Sequence, residues 1–435
     1  MFEDHALEHM TITYRTGLGE RMTRTIAQKL YFLYVLGIAS NVIAACFGKP
    51  EASALSGNTA HFALTVGLLT WTLVLAYPVY EDIRRVLMSR KLLLVMYLYV
   101  AISCFWSPDP IASVREFFLL LILLISAAYI SLVFSPEEIV DLTAKVSAIF
   151  ALASIVAQFM QYPIYITASG GWVGLYGHRN VFGVGLTMGI ASLLTSRSKW
   201  GFMRWCMLLL FLILLIVVQS ATAIIMSATV IGVYAFKRLP QLARLSLIFM
   251  AAIATVLVVW TSRVNQVVQL FFGLVNRDQT FTGRTDIWHF VSIQIMDRPL
   301  FGQGYLGFWG PHEDIVIANL GWNPGHAHNG FLNIILIFGI VGLFGFLAVL
   351  WDGLKGGLRV RSSSGSLAGS WLLLVIWLEF LNNMTEADYM EPSLVWTLFI
   401  MAYFTCSVAE SKRISLPGEN AGRIFFLDGG LAQEG

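Results

Sequence analysis

Charged residues are scarce in this 435-residue chain: only 12% of the residues are Asp, Glu, Lys or Arg, whereas 57% are hydrophobic. Soluble globular domains carry about 25% charged residues. The apolar segments recur along the whole chain and leave no room for a soluble domain of ordinary size. The net charge of +2 is too small to indicate nucleic-acid binding. We therefore expect an all-α, polytopic membrane protein.

Cysteine and metal-binding motifs are also scarce. The four cysteines form no CxxC pair and no Cys/His cluster, so neither a disulfide framework nor a zinc site is expected. The chain has no HExxH or DxD motif, and no carboxylate lies at a helpful spacing from His326 and His328. We expect no metal and no cofactor. The polar N-terminus lacks the features of a cleavable signal peptide.

About twelve segments have the apolarity of membrane-spanning helices, which need roughly 20 apolar residues each. The predicted spans are 30–47, 60–79, 92–105, 116–134, 143–160, 180–195, 205–219, 221–236, 245–261, 328–350, 370–383 and 393–408. Gly183, Gly185 and Gly189 predict close approach of one span to its neighbours. Glu379 is the clearest charge within a span, and such scarcity argues against a proton-coupled transporter.

The orientation follows from the positive-inside rule. With a cytoplasmic N-terminus, all 28 Lys and Arg lie inside except Lys49, Arg115, Arg179, Arg263, Arg277, Arg284 and Arg298. Both termini are then cytoplasmic. The predicted organisation is an N-terminal tail, nine spans, a long outer loop, three spans and a C-terminal tail, at 1–29, 30–261, 262–327, 328–408 and 409–435.

The outer loop 262–327 is far longer than an ordinary connection, which is typical of a functional loop. Within it a helix is predicted over about 284–297, with Thr282 or Asp286 as its cap. Its apolar residues recur with a helical period, and Trp is favoured at membrane interfaces. The helix is expected to lie along the membrane surface on Ile287, Trp288, Val291, Ile295 and Met296.

Six of the seven outer basic residues are arginines, and arginine binds phosphate through paired charge-assisted hydrogen bonds. Outer arginines also contact lipid headgroups, so each has two interpretations. Arg179 and Arg284 have the settings that most favour substrate binding. The outer face therefore predicts an anionic substrate.

Histidine is concentrated on the same face, at His178, His289, His312, His326 and His328, with His61 near an outer span end. Histidine takes up a proton near neutral pH, which suits a general base. His326 and His328 immediately precede a span, so a bond to the helix backbone is the alternative. The outer carboxylates Glu386 and Asp388 either orient a histidine, bind sugar hydroxyls or are simply solvated.

Five motifs carry a resemblance to a known family. WSPDP followed by Ser113 and Arg115, then GHRNVFG, TGRTDIW, PLFGQGY and HAHNGFLNIILIFGIVG, occur in this order over about 106–391. This order resembles the O-antigen ligase and polymerase superfamily. Ligases of that family generally carry an Arg after a serine where this chain has Gln219-Ser220-Ala221-Thr222. The pattern is similar to the exopolysaccharide-polymerase branch, of the succinoglycan type.

The resemblance implies a glycosyltransferase of the bacterial inner (cytoplasmic) membrane, with a metal-independent active site facing the periplasm. It implies an undecaprenyl-pyrophosphate-linked glycan as donor and as acceptor, held in the lipid bilayer. A chain-length regulator and export proteins are candidate partners; nucleic acid is not. The family's loop histidine corresponds to His328 and its loop arginine to Arg284, and Arg179 and Asn180 match its earlier polar motif.

The resulting hypothesis is polymerisation of lipid-linked repeat units into exopolysaccharide by inverting transfer. Its predicted catalytic residues are His328 and, less favoured, His326. The predicted pyrophosphate ligands are Arg284, Arg179, Arg277, Arg298 and Arg115, and the predicted glycan ligands are Asn180, Asn329 and Glu386. The alternatives are an O-antigen ligase acting on lipid A core, a lipid-linked glycan flippase or exporter, and a structural assembly subunit.

Overall fold

The structure is a computed structural model that describes residues 18–46, 59–160, 171–238, 284–364 and 367–414, with positions 240 and 250. Within this part the chain is helical and forms no β-strand. The helices are α1 Leu18–Ala39, α2 Val42–Ala45, α3 Thr59–Ala76, α4 Tyr80–Ser89, α5 Lys91–Ser103, α6 Pro110–Val133, α7 Pro136–Phe159, α8 Arg179–Thr195, α9 Phe202–Val218, α10 Ala221–Arg238, α11 Arg284–Ile295, α12 Glu313–Leu320, α13 Gly330–Ser364, α14 Leu367–Asn382 and α15 Leu394–Ile414.

The predicted fold class is confirmed: this is an all-α, polytopic membrane protein. In the described part, four helical stretches are long and apolar enough to cross a bilayer, and shorter apolar helices accompany them. The four are Ala63–Ser89, Pro110–Val133, Pro136–Phe159 and Gly330–Arg361. Every predicted span overlaps a helix except 245–261, of which only position 250 is described. The first helix begins earlier than predicted, at Leu18 rather than at residue 30.

The beginnings of two long helices follow from local sequence signals. The Asp109 side chain accepts a hydrogen bond from the Ala112 amide, and Pro110 occupies the first turn of α6. Ser135 forms a capping box with Glu138 at the start of α7. These caps satisfy backbone amides that the helix itself leaves unpaired.

Helix α8 lies at the centre of the first half of the chain and packs against α7, α9 and α10. A Cβ at Gly183 would lie 2.5 Å from the Cβ of Ala223, and one at Gly189 would lie 2.5 Å from the Phe211 ring. Gly185 packs as closely, against Tyr176. The packing role predicted for these glycines is confirmed, because any side chain there would force the helices apart.

Helix α13 is interrupted at Gly339, which has φ 67° and ψ −171°. The segment that follows α11 fills the break. The Gln303 amide donates to the Leu336 carbonyl at 2.9 Å, and the Ile340 amide donates to the Pro299 carbonyl at 2.9 Å. Unpaired backbone groups are costly in an apolar environment, so an interrupted membrane helix needs such partners. The break therefore anchors the outer loop to the helix bundle.

Gly339→Ala should destabilise the fold, because its Cβ would overlap the Leu300 carbonyl at 2.1 Å and φ is positive. We expect a loss of more than about 2 kcal/mol. Gly232→Ala is the matched control, because a Cβ at that position meets nothing within 4 Å. Thermal unfolding in detergent, followed by circular dichroism, measures both variants. Equal midpoints for the two variants would contradict the described role of the break.

Candidate active site

One large cavity, with a volume of about 1790 Å³, collects most of the predicted site residues. The N-terminal ends of α6, α8, α10, α11 and α13 open onto it, together with the loop between α14 and α15. The N-terminus of a helix carries a partial positive charge and unpaired amides, which favours anions. The backbone alone therefore makes this cavity suitable for a phosphate group.

Glu386 lies at the centre of the polar side of the cavity, and its side chain is only 8% exposed. Its Oε1 accepts hydrogen bonds from Asn180 Nδ2 at 2.7 Å and from Arg284 Nη2 at 3.2 Å. Its Oε2 lies 3.5 Å from His328 Nδ1 and 3.7 Å from His326 Nε2. One carboxylate thus joins the arginine, the amide and both histidines.

The segment that carries the two histidines is held by three hydrogen bonds to neighbouring elements. The Trp288 indole N–H donates to the Ala327 carbonyl at 3.0 Å, and Asn333 Oδ1 accepts from the Ala327 amide at 3.3 Å. The Gly330 amide donates to the Asn383 carbonyl at 2.7 Å. These bonds tie α11, α13 and the end of α14 together, so the histidines sit on fixed backbone.

Asn180 is positioned from a second direction. Ser220 Oγ donates to Asn180 Oδ1 at 2.9 Å, and the Asn180 amide donates to Nδ1 of His178, the N-cap of α8. Ser220 therefore orients Asn180, and through Asn180 it orients Glu386.

The protonation states of the cluster follow from its surroundings. Burial by itself raises the pKa of Glu386, but the two histidines and Arg284 outweigh burial and lower it below 4.5. Burial, reinforced by His328, lowers the pKa of His326 to about 3. At neutral pH the cluster therefore contains an ionised carboxylate and a neutral His326.

Hydrogen bonding distinguishes the two histidines. Nδ1 of His326 accepts from the His328 amide at 3.1 Å, so a neutral His326 carries its proton on Nε2, which faces Glu386. In His328 it is Nδ1 that faces Glu386. When Nδ1 carries the proton toward the carboxylate, Nε2 of His328 has a lone pair available to a substrate proton. The geometry favours His328 over His326 as the base.

The same three side chains could hold a metal ion, since one ligand atom each from His326, His328 and Glu386 lie within 4.8 Å of one another. Spacing along the chain predicted no such carboxylate; the fold brings Glu386 to the histidines. Arg284, however, donates to this carboxylate, and its positive charge opposes a second cation there. The contacts therefore fit an arginine–carboxylate–histidine arrangement better than a metal site.

Two of the other predicted arginines line the cavity and one does not. Arg115 and Arg179 are both among its lining residues. Arg298 lies instead beside a separate apolar pocket of about 640 Å³, with Tyr99 and Trp106. Arg277 lies outside the described residues. The structure thus brings three of the five predicted arginines to one cavity.

The structure places Asn329 and Asp286 at the starts of helices. Asn329 does not line the cavity; its Oδ1 accepts from the amides of Phe331 and Leu332 at the start of α13. Helix α11 ends at Ile295, and Asp286 lies in its first turn rather than before it. Thr282 lies outside the described residues. Because the Trp288 indole bonds to the Ala327 carbonyl, α11 supports the segment that carries the two histidines.

Sequence reasoning overlooked Asn333 and the supporting role of Trp288. Both act through hydrogen bonds to the Ala327 backbone, between the two histidines. Asn333 lies four residues from Asn329 within an apolar run, which is a weak signal of a buried polar contact. Side chains of this kind hold reactive groups in place without touching a substrate.

The chain is similar in sequence to proteins of polysaccharide synthesis. Residues 205–347 match the family model described as O-antigen ligase. The chain is 25% identical to the exopolysaccharide production protein ExoQ of Rhizobium meliloti, over 94% of each chain. It is 37% identical over 78 residues to RC0486 of Rickettsia conorii, a candidate polysaccharide ligase, covering 17% of this chain and 19% of that protein. The predicted resemblance to the O-antigen ligase and polymerase superfamily is confirmed.

Asp388, which lies near Glu386 in the same loop, should make the stability of the fold depend on pH. Burial, and then the charge of Glu386, raise the pKa of Asp388 from 3.8 to about 7. The folded state thus keeps a proton that the unfolded state loses, so stability falls as pH rises from about 4 to 7. Asp388→Asn removes this titration and should gain stability relative to wild type over that range, with no further gain above about pH 7.5.

Thermal unfolding midpoints in detergent between about pH 4.5 and 8.5 measure this difference. Asp314→Asn, at an exposed position on α12, is the matched control. A difference between wild type and Asp388→Asn that stays constant with pH would contradict the raised pKa.

Proposed function

We propose that this protein polymerises undecaprenyl-pyrophosphate-linked oligosaccharide repeat units into exopolysaccharide, by metal-independent inverting glycosyl transfer at the periplasmic face of the bacterial inner membrane. The observation that supports this most is the single cavity in which Arg179 and Arg284 lie with a histidine oriented by Glu386. Phosphate-binding and proton-accepting groups are thereby available to one substrate.

The donor's pyrophosphate is the leaving group, and its departure requires neutralisation of developing charge. Arg179 and Arg284 bind the phosphate oxygens, and the helix N-termini around the cavity add their partial positive charge. Arg115, on the exposed side of α6, contributes at the rim. The lipid chain of the donor remains in the bilayer beside the apolar helices.

The acceptor hydroxyl loses its proton to Nε2 of His328 as its oxygen attacks the anomeric carbon. The bond from that carbon to the pyrophosphate oxygen breaks, and its electron pair leaves with the diphosphate, so the configuration inverts. Glu386 holds His328 in orientation and stabilises the imidazolium that forms. Because pyrophosphate is already a good leaving group, this reaction needs no second carboxylic acid of the glycosidase kind.

Two observations favour a polymerase over a ligase. The similarity to ExoQ extends over 94% of the chain, whereas the similarity to the candidate ligase covers 17%. In the ligases that this chain resembles, an arginine follows the serine; here Ala221 follows Ser220. Transfer to lipid A core remains the second candidate, supported by the O-antigen ligase match. A flippase or exporter would need no oriented histidine.

Arg284→Ala should lower the rate of polymer formation by about 100-fold or more, because it removes a charge that stabilises the leaving group. Arg298→Ala is the matched control: it removes an arginine of the same loop that lies outside the cavity, and should change the rate less than about threefold. The assay uses purified protein in lipid and the undecaprenyl-pyrophosphate-linked repeat unit, with gel analysis of chain length. Equal losses in both variants would contradict the assignment of Arg284.

His328→Asn should abolish polymer synthesis, with a loss of about 100-fold or more, because it removes the proton acceptor. Asparagine tolerates the positive φ of 47° at this position, so the fold should persist. EDTA should leave the wild-type rate unchanged. Translocation of repeat units, measured in vesicles, should be equal in wild type and variant; transport lost with synthesis would favour the flippase instead.

A further inference from the structure

A second polar surface of the same cavity carries acids rather than bases. Glu116 in the first turns of α6, and Asp388 and Glu391 in the loop before α15, line it. Burial raises the pKa of Glu391 well above 4.5, and the neighbouring charges of Asp388 and Glu116 raise it further. The Glu391 amide donates to the Asp388 carbonyl at 3.3 Å, so these two acids lie in one turn. Protonated carboxyl groups both donate and accept hydrogen bonds.

Two tyrosines that line the same surface present buried hydroxyl groups without a partner among the described residues. Tyr305 is 2% exposed and Tyr389 is 4% exposed, and neither hydroxyl has a hydrogen bond there. An unpaired buried hydroxyl is costly, and native structures rarely leave one without a reason. These hydroxyls therefore point to a ligand with polar groups.

Tyr305 is held in place from three sides. Ser113 Oγ donates to its carbonyl at 2.5 Å, and its amide donates to Ser103 Oγ at 3.2 Å. Its ring stacks on Phe338 with centroids 6.0 Å apart. The serines belong to α5 and α6, so the position of this ring is built into the bundle, and its free hydroxyl is not the result of a loose loop.

None of these side chains carries a positive charge that would neutralise the donor's pyrophosphate, and any carboxyl group that ionises repels it. Neutral carboxyl groups with tyrosine hydroxyls instead suit an uncharged, hydroxyl-rich ligand such as a sugar. Asp388 lies two residues from Glu386, the carboxylate that contacts His328. A sugar bound against the acids would thus lie beside the proposed base, where a transfer reaction requires its acceptor.

We infer that the surface formed by Glu116, Asp388, Glu391, Tyr305 and Tyr389 is the acceptor subsite, which binds the terminal sugar whose hydroxyl attacks the donor. This inference rests on the proposed glycosyl transfer. It divides the cavity into a basic half for the lipid pyrophosphate and an acidic, hydroxyl-bearing half for the accepting glycan.

The test separates acceptor from donor kinetics. Purified full-length protein in lipid receives the undecaprenyl-pyrophosphate-linked repeat unit as donor. The acceptor is a soluble oligosaccharide of the same polymer, blocked at its reducing end. Tyr305→Phe and Glu391→Gln should each raise the KM for the acceptor about fivefold to tenfold, with kcat and the donor KM changed less than about twofold.

Tyr80→Phe and Glu81→Gln, on α4 and outside the cavity lining, are the matched controls and should leave all constants unchanged. If thermal unfolding shows that Glu391→Gln is not folded, the test rests on Tyr305→Phe, which removes only one oxygen atom. If the folded variants transfer sugar with an unchanged acceptor KM, the acceptor-subsite inference is overturned and the proposed function is not. If EDTA abolishes transfer and Ca²⁺ restores it, the acidic surface binds a cation rather than a sugar, and the inference is overturned. Absence of any transfer by folded wild type would overturn the proposed function as well.

Discussion

A buried carboxylate needs compensating partners, and Glu386 obtains them from three separate segments of the chain. Asn180 at the start of α8, Arg284 at the start of α11 and the histidine segment before α13 all converge on its two oxygens. Leaving such a charge unpaired would cost several kcal/mol. The need to satisfy this carboxylate therefore fixes the relative positions of Asn180, Arg284 and the two histidines.

The helix bundle makes that convergence possible. Helices that begin at the cavity direct their unpaired amides and positive ends toward it, while the apolar spans exclude other charges. The break at Gly339 lets the outer loop bond to backbone within α13, which places Tyr305 against the cavity. At the opposite end, buried Arg90 joins Asp352 of α13 to Glu410 of α15. Helix α13 is thus bonded to neighbouring segments both at its break and near its C-terminal part.

Most of the fold could be predicted from the sequence, because apolar length, caps and the distribution of positive charge are local properties. The proximity of arginines and histidines was predicted from the common side of the membrane that the positive-inside rule assigns to them. The central role of Glu386 could not be predicted, since its hydrogen bonds to Asn180 and Arg284 span 206 and 102 residues.

The divergence of two arginines from one loop shows the same limit. Arg284 begins α11 and reaches Glu386, whereas Arg298 follows the helix and lies beside an apolar pocket. The residue type and the predicted side of the membrane are the same for Arg284 and Arg298, so neither distinguishes them. Only the course of the helix, fixed by the Trp288–Ala327 bond and by the filling of the α13 break, separates them.

The claim on which the mechanism depends most is that Glu386 acts through His328. A double-mutant cycle with Glu386→Gln and His328→Asn, measured as kcat for polymer formation, tests it directly. If Glu386 orients the base, Glu386→Gln should cost about 100-fold in wild type and less than about tenfold once His328 is already Asn. The same loss in both backgrounds would show that the two residues act independently and would contradict the mechanism.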